Sequence, residues 1–152
     1  MDIGSKHGYP ASALSNFAPH PFVFDDVACN SMEGLLQSFK FSAWPMQQEV
    51  CKLVGFAAKA RGRHKNWKRQ NILYWKGDIY ARHGDGYQHL LDRAYAALFN
   101  QNEGFRKALR ATGDAVLTHS IGRTSESETI LTQREFCSRL MKLRIELQYR
   151  KD

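Results

Sequence analysis

The sequence predicts an α+β domain, mainly α-helical, with a few short strands. Three observations carry this. Residues 134–149 place Phe136, Leu140, Leu143 and Leu147 at steps of four, three and four, the stripe of a helix laid on a core. Only 21–28 and 115–120 have the β-branched and aromatic density of strands. The 152 residues, 43% hydrophobic and 24% charged, fit one globular domain and exclude a disordered or collagen-like chain. The predicted organisation is a lead-in over 1–13 and a single compact domain over 14–152.

In chain order, the Gly, Ser, Ala and Pro of the first 14 residues show no period and read as a lead-in. Phe22-Val23-Phe24, Asp25-Asp26, then Val27-Ala28 suggests a short hairpin or a single strand and turn. Asn30-Ser31-Met32-Glu33 is a helix-capping pattern that opens a helix running to about Ser42. Pro45 starts the next helix and Gly55 ends it. Residues 56–61 are Ala-rich and helical, with Gly62 as an interruption. Asn66 then caps a helix over 67–76. Residues 78–100 read as helical, broken at Gly84-Asp85-Gly86, with Leu90, Leu91, Ala94, Tyr95 and Leu98 at helical spacing. A short helix over 104–112 stops at Gly113. A strand over 115–120 and a polar loop over 121–131 precede the last helix.

The net charge is +7, and it sits in one place. Between Glu49 and Asp78 there is no acidic residue, while eight cations fall there: Lys52, Lys59, Arg61, Arg63, Lys65, Lys68, Arg69 and Lys76. Such a segment either faces phosphates or forms a solvated basic surface. No apolar run reaches the length of a membrane span, and the N-terminus lacks the layout of a signal peptide. Three widely spaced cysteines and no CxxC pair support neither a disulfide framework nor a zinc knuckle. The expectation is a reduced, cytoplasmic protein without membrane association or an obligate protein partner. The scattered histidines offer no metal-ligand spacing, and no phosphate-binding Gly-rich loop or nucleophile elbow occurs, so no cofactor and no metal are expected.

The most informative chemistry lies in Ser15-Asn16-Phe17 followed by Glu33, Gln37 and Lys40. If one helix carries all three polar residues, Glu33 and Lys40 fall within roughly 20° of one face, about 10 Å apart along the axis. Gln37 lies between them. A glutamate can move protons, and a lysine whose pKa is lowered can attack a carbonyl carbon. The same residues also fit plain structural roles. Glu33 fits a capping-box glutamate, and Lys40 a side chain that snorkels from an amphipathic helix.

The order Ser-Asn-Phe, short strand, then Glu-x-x-x-Gln-x-x-Lys-Phe resembles the NADAR (YbiA-like) family. The resemblance continues through Ala57-Ala58, Gly62-Arg63, Trp67 and the C-terminal Leu140-Met141-x-Leu143-Arg144, and so spans most of the chain. It implies a compact, mainly helical α+β fold. It also implies hydrolysis of an N-glycosidic bond between a ribose C1 and a base or amine nitrogen. The implied substrate is an ADP-ribosylated guanine in a nucleotide or nucleic acid, with phosphoribosyl intermediates of riboflavin synthesis as the alternative. The resemblance assigns catalysis to Glu33 and to a Schiff base on Lys40. It assigns the pocket to Asn16 and Phe17, and matches Gly62, Arg63 and Trp67 to a second block. Gln37 joins the expected binding residues, Arg61, Arg63 or Lys65 is expected to hold phosphates, with Arg favoured for bidentate geometry, and Trp67 either stacks on a base or is buried. The chain departs from the family in Gly34-Leu35-Leu36 after the glutamate, in Phe39, and in Ser125–Thr132, which stands where the family has a Trp-Gly loop. The competing reading of this departure is a binding module without catalysis, for ADP-ribosylated or plain nucleic acid. A basic face that docks an acidic protein is the third.

Overall fold

The computed structural model describes residues 1–150. Seven helices and two separate two-stranded antiparallel sheets pack around one core among these residues. The short α1 (Ala11–Leu14) leads to β1 (Phe22–Phe24) and β2 (Val27–Cys29), paired Phe22 to Cys29 through Phe24 to Val27. Both turn residues, Asp25 and Asp26, have positive φ, at 47° and 68°. Turns of that hand match the twist of the flanking strands, and aspartate tolerates them better than most residues.

Helix α2 (Met32–Ser38) is capped by Ser31, whose hydroxyl accepts from the Gly34 amide. The position three residues beyond that cap is Gly34, so Glu33 is not a capping-box glutamate. The helix also ends four residues earlier than the spacing predicts. The Phe39 carbonyl is taken by the Tyr74 amide at 2.8 Å, and the Ser38 carbonyl by the buried Gln47 side chain at 3.2 Å. Tertiary partners thus replace the next turn of the helix. Lys40 lies past the end, and the shared helix face expected for Glu33 and Lys40 does not exist.

Helix α3 (Trp44–Cys51) starts with Pro45 in its first turn, as expected. Gly55 does not end it. Gly55 opens α4 (Gly55–Arg63) at φ 58°. Gly62 does not interrupt α4 either. It lies inside the helix, where the absence of a side chain allows close packing on α2.

The expected helix over 67–76 is a single 3-10 turn (Trp67–Arg69) followed by β3 (Ile72–Trp75). Strand β3 pairs with β4 (Asp78–Ala81), and the turn residues Lys76 and Gly77 have positive φ, as in the first hairpin. Leu73 and Trp75 point into the core while Ile72 and Tyr74 are half-buried, the two-residue alternation of a strand. The hairpins are tied together. The Trp75 indole donates to Asp25 at 2.8 Å, and Arg93 pairs with the other Asp25 oxygen at 2.8 Å.

Helix α5 (Asp85–Gln101) is the spine of the core, burying Tyr87, Leu90, Leu91, Ala94, Tyr95, Leu98 and Phe99. It is followed by α6 (Glu103–Ala111) and by α7 (Gln133–Gln148). Helix α7 buries the four residues of the predicted stripe and starts with a capping box between Thr132 and Glu135. The strand expected over 115–120 is reduced to one bridge, Asp2 with Thr118, beside Ile3, which is fully buried. Among the described residues, no helix is long and apolar enough to cross a membrane, and no cluster of side chains suits a metal ion.

Gly34 marks a close crossing against backbone. A Cβ there would lie 2.6 Å from the Leu53 carbonyl oxygen and 3.0 Å from those of Cys51 and Val50. Backbone cannot swing aside as a side chain can. Gly34→Ala is therefore expected to cost about 1–3 kcal/mol, read as a lower urea midpoint at unchanged slope. An unchanged midpoint would show that α2 and α3 separate without cost.

Candidate active site

The loop after α1 and the start of α2 meet through the backbone. The Glu33 amide donates to the Asn16 carbonyl at 3.0 Å. The Asn16 side-chain oxygen accepts from the Tyr95 hydroxyl of α5 at 2.8 Å. One turn along α2, the Gln37 amide nitrogen donates to the Glu33 carboxylate at 2.7 Å. Lys40 turns back under the end of α2 and reaches the Gly62 carbonyl of α4 at 3.4 Å. Asn16, Glu33, Gln37 and Lys40 thus form one cluster although α2 carries only two of them. Phe17 flanks it, with its ring 5.0 Å from that of Phe56 and the Lys59 ammonium 5.9 Å from its centroid.

Electrostatics separate Glu33 and Lys40 from ordinary surface residues. Burial raises the Glu33 carboxyl above the usual carboxylate range, against the Gln37 hydrogen bond and the positive charges of Lys59, Lys40 and His119. Burial lowers the Lys40 ammonium to about 8. The Glu33 charge opposes this shift, while Lys68 and Lys59 add to it. Both groups move toward their neutral forms, an acid that can give a proton and an amine that can attack. Burial also holds the Tyr95 hydroxyl protonated, reinforced by the Glu33 charge, so it remains a donor to Asn16.

The other expected residues lie elsewhere or face outward. The Arg61 guanidinium pairs with Glu49 at 2.9 Å and touches the Met46 sulfur at 3.0 Å. Arg63 is exposed. Trp67 is 7% exposed and belongs to the core, so its ring does not offer a free face for stacking. Sequence reasoning missed Lys59, Tyr95 and His119. His119, set aside in the sequence only as a metal ligand, lies close enough to Glu33 for its charge to act there. Its Nδ1 lies 2.8 Å from the Ile3 carbonyl, a bond that requires a proton on that nitrogen, and its ring packs edge-on to Phe136 at 5.0 Å. No spacing rule links His119 to Glu33, because the fold alone brings them together.

Gly62 closes the cluster from the α4 side. A Cβ there would lie 1.8 Å from the Gln37 side-chain oxygen, 2.9 Å from its Cδ and 3.2 Å from the Lys40 Cδ. That Gln37 oxygen is buried with no hydrogen-bond partner among the described residues. Gly62→Ala is expected to push Gln37 off Glu33 and leave the fold intact, since the obstacle is a side-chain end. The Glu33 carboxyl then loses a bond to its charged form and titrates higher, as carbon-detected NMR would record. An unshifted titration would mean that Gln37 keeps its place.

The architecture defines the class. The fold is YbiA-like: it matches the NMR structure of the E. coli protein YbiA with a TM-score of 0.62 over 97% of this chain and 84% of that one, at 20% identity. The chain belongs to the bacteriophage protein GP30.3 family, whose model matches residues 8–145. It is 37% identical over 146 residues to an uncharacterized 17.1 kDa protein of the Gp30-rIII intergenic region of Enterobacteria phage T4, covering 95% of this chain and 96% of that protein.

Proposed function

We propose that the chain is an N-glycosidase that cleaves the bond between a ribose C1 and a base nitrogen, most specifically one that removes ADP-ribose from guanine. The observation that carries this reading is the juxtaposition of Glu33 and Lys40 in one partly buried cluster, each shifted toward its neutral form. In this mechanism the protonated Glu33 carboxyl gives its proton to the ring oxygen as the C1–O bond breaks and the base nitrogen forms an iminium with C1. The neutral Lys40 amine adds to C1. Its proton passes to the base nitrogen, the C1–base bond breaks, and an imine joins Lys40 to the opened sugar. Water then adds to the imine, the C1–Lys40 bond breaks, the surplus proton on the departing amine returns to Glu33, and the sugar hydroxyl closes the ring again on C1. Gln37 orients Glu33, and Asn16, fixed by Tyr95, lines the approach. Phosphates fall to exposed cations of the acid-free segment, with Arg63 suited to bidentate contact. Arg61 serves only if it leaves Glu49.

The test is incubation of guanine-ADP-ribosylated DNA with the wild type, Glu33→Gln and Lys40→Ala. Release of ADP-ribose by the wild type alone is the expected result, with borohydride trapping a covalent adduct in the wild type and none in Lys40→Ala. Unchanged release by both variants overturns the mechanism. No release by the wild type moves the assay to phosphoribosyl substrates.

A further inference from the structure

Helix α4 has two faces with different contents. Ala58 and Gly62 are buried against the rest of the fold. On the outer side, Phe56, Lys59 and Arg63 occupy positions i, i+3 and i+7, one helical face about 10 Å long. All three are exposed, and Phe56 is 64% exposed, a large apolar surface for a residue at the rim of a polar cluster. The Phe56 ring is not isolated. It stands edge-to-face at 75° to Phe17, whose neighbour Asn16 accepts from the Glu33 amide. Lys59 lies 5.9 Å from the Phe17 centroid, but the face carries no acidic partner. No salt bridge is made by Lys59 or Arg63 among the described residues, in contrast to Arg61 on the same helix, which Glu49 neutralises. The intervening positions Ala57 and Ala60 are small and exposed, so nothing on the helix covers the ring or the cations.

An exposed aromatic ring, two cations without salt bridges along the same 10 Å line, and a reactive cluster at one side together suit one ligand chemistry. We propose that this face of α4, with Phe17 beside it, is a nucleotide-binding platform: a heterocyclic base stacks on Phe56 while the attached phosphates lie along Lys59 and Arg63. The platform rests on the N-glycosidase reading for the identity of the reacting sugar. It adds where the base at the far end of such a substrate is held: outside the bond that breaks, on Phe56. A simple sugar phosphate would leave Phe56 unused. An acidic protein segment would use the cations and gain little from a flat ring.

Binding of ADP-ribose and of ribose 5-phosphate, each measured by calorimetry on the full chain, separates these cases. Phe56→Ala is expected to weaken ADP-ribose about tenfold, the scale of one lost base–aromatic stack, and to leave ribose 5-phosphate unchanged. Phe56→Trp should keep or strengthen ADP-ribose binding. Arg63→Gln should weaken ADP-ribose and reduce the salt dependence of its binding. Equal ADP-ribose affinity in the wild type and Phe56→Ala overturns the platform, as does an equal loss for both ligands. Thermal melts show whether Phe56→Ala remains folded, and if it does not, Phe56→Leu, which keeps apolar cover over Phe17 without a π-face, takes its place. Lys40-dependent base release without any ADP-ribose binding overturns the platform alone. Loss of both overturns the platform and the N-glycosidase reading.

Discussion

Lys40→Met is expected to abolish base release, by about a thousandfold or more, and to make the protein more stable. The two effects have one cause. Burial holds the Lys40 ammonium down at about 8, so at pH 7 the folded chain carries a charge that the unfolded chain solvates better. That cost is fully present below about pH 8 and is relieved as pH rises toward the ordinary lysine value of 10.5. Methionine keeps the aliphatic stem without the charge. We expect a gain of about 1 kcal/mol near neutrality, or about 2–4 °C in Tm for a chain of this size, and the gain should fade above pH 8. The activity of the wild type should rise with pH through the same region as the amine loses its proton. A lysine that only snorkels would show neither effect. A lower Tm for Lys40→Met at pH 7 would mean that its bond to the Gly62 carbonyl and the attraction of the Glu33 charge outweigh its burial.

Arg82→Met is expected to have the largest effect on stability. Arg82 is fully buried and grips Glu135 with two hydrogen bonds, at 2.6 and 3.0 Å, while its Nε donates to the Thr129 carbonyl at 2.9 Å. Burial alone would raise the Glu135 carboxyl. The bonds from Arg82, the Thr132 amide and Gln88 outweigh it and hold the group below the usual range. Removing Arg82 leaves a buried carboxylate without its main partner, which costs about 3–5 kcal/mol of a total that for most domains is about 5–15 kcal/mol. Thermal unfolding should fall by about 10 °C or more. Adding Glu135→Leu should recover most of the loss, because an apolar pair can replace a buried ion pair. In the wild type the contribution of this pair is present above the ordinary glutamate pKa and is lost as the solution is acidified through the lowered one. A flat stability profile between pH 5 and 3 would contradict that assignment.

What the sequence reveals depends on how local each cause is. The first hairpin is legible because Asp25-Asp26 tolerate left-handed geometry between β-branched and aromatic runs. Helix α7 is legible because its stripe covers about three turns. The second hairpin is hidden. Ile72, Leu73 and Trp75 fit a helix as well as a strand over so short a stretch, and the turn signal Lys76-Gly77 is weaker than Asp-Asp or Asn-Gly. Helix α2 is cut short by Tyr74 and Gln47, partners far along the chain. The candidate site divides in the same way. Glu33, Gln37 and Lys40 are near one another in sequence and are brought together, though by a helix end and a turn instead of one helix. Lys59, Tyr95 and His119 come from α4, α5 and the segment after α6, and nothing local announces them. Gly62 illustrates how a residue type can mislead: glycine reads as a break, yet here it leaves room for the Gln37 side chain, which a Cβ would displace.

The two faces of α4 also set how freely this chain can change. Ala58 is locked by core packing and Gly62 by the Gln37 side chain against it, so random codons should yield few folded clones at the first and displaced cluster side chains at the second. Phe56, Lys59, Ala60 and Arg63 touch little of the interior, and a library at those four positions should keep most of its members folded. A helix of nine residues thus presents a fixed inner side to the reacting groups and an outer side open to drift. Descendants of such a scaffold can acquire new ligands one surface substitution at a time without rebuilding the chemistry beneath.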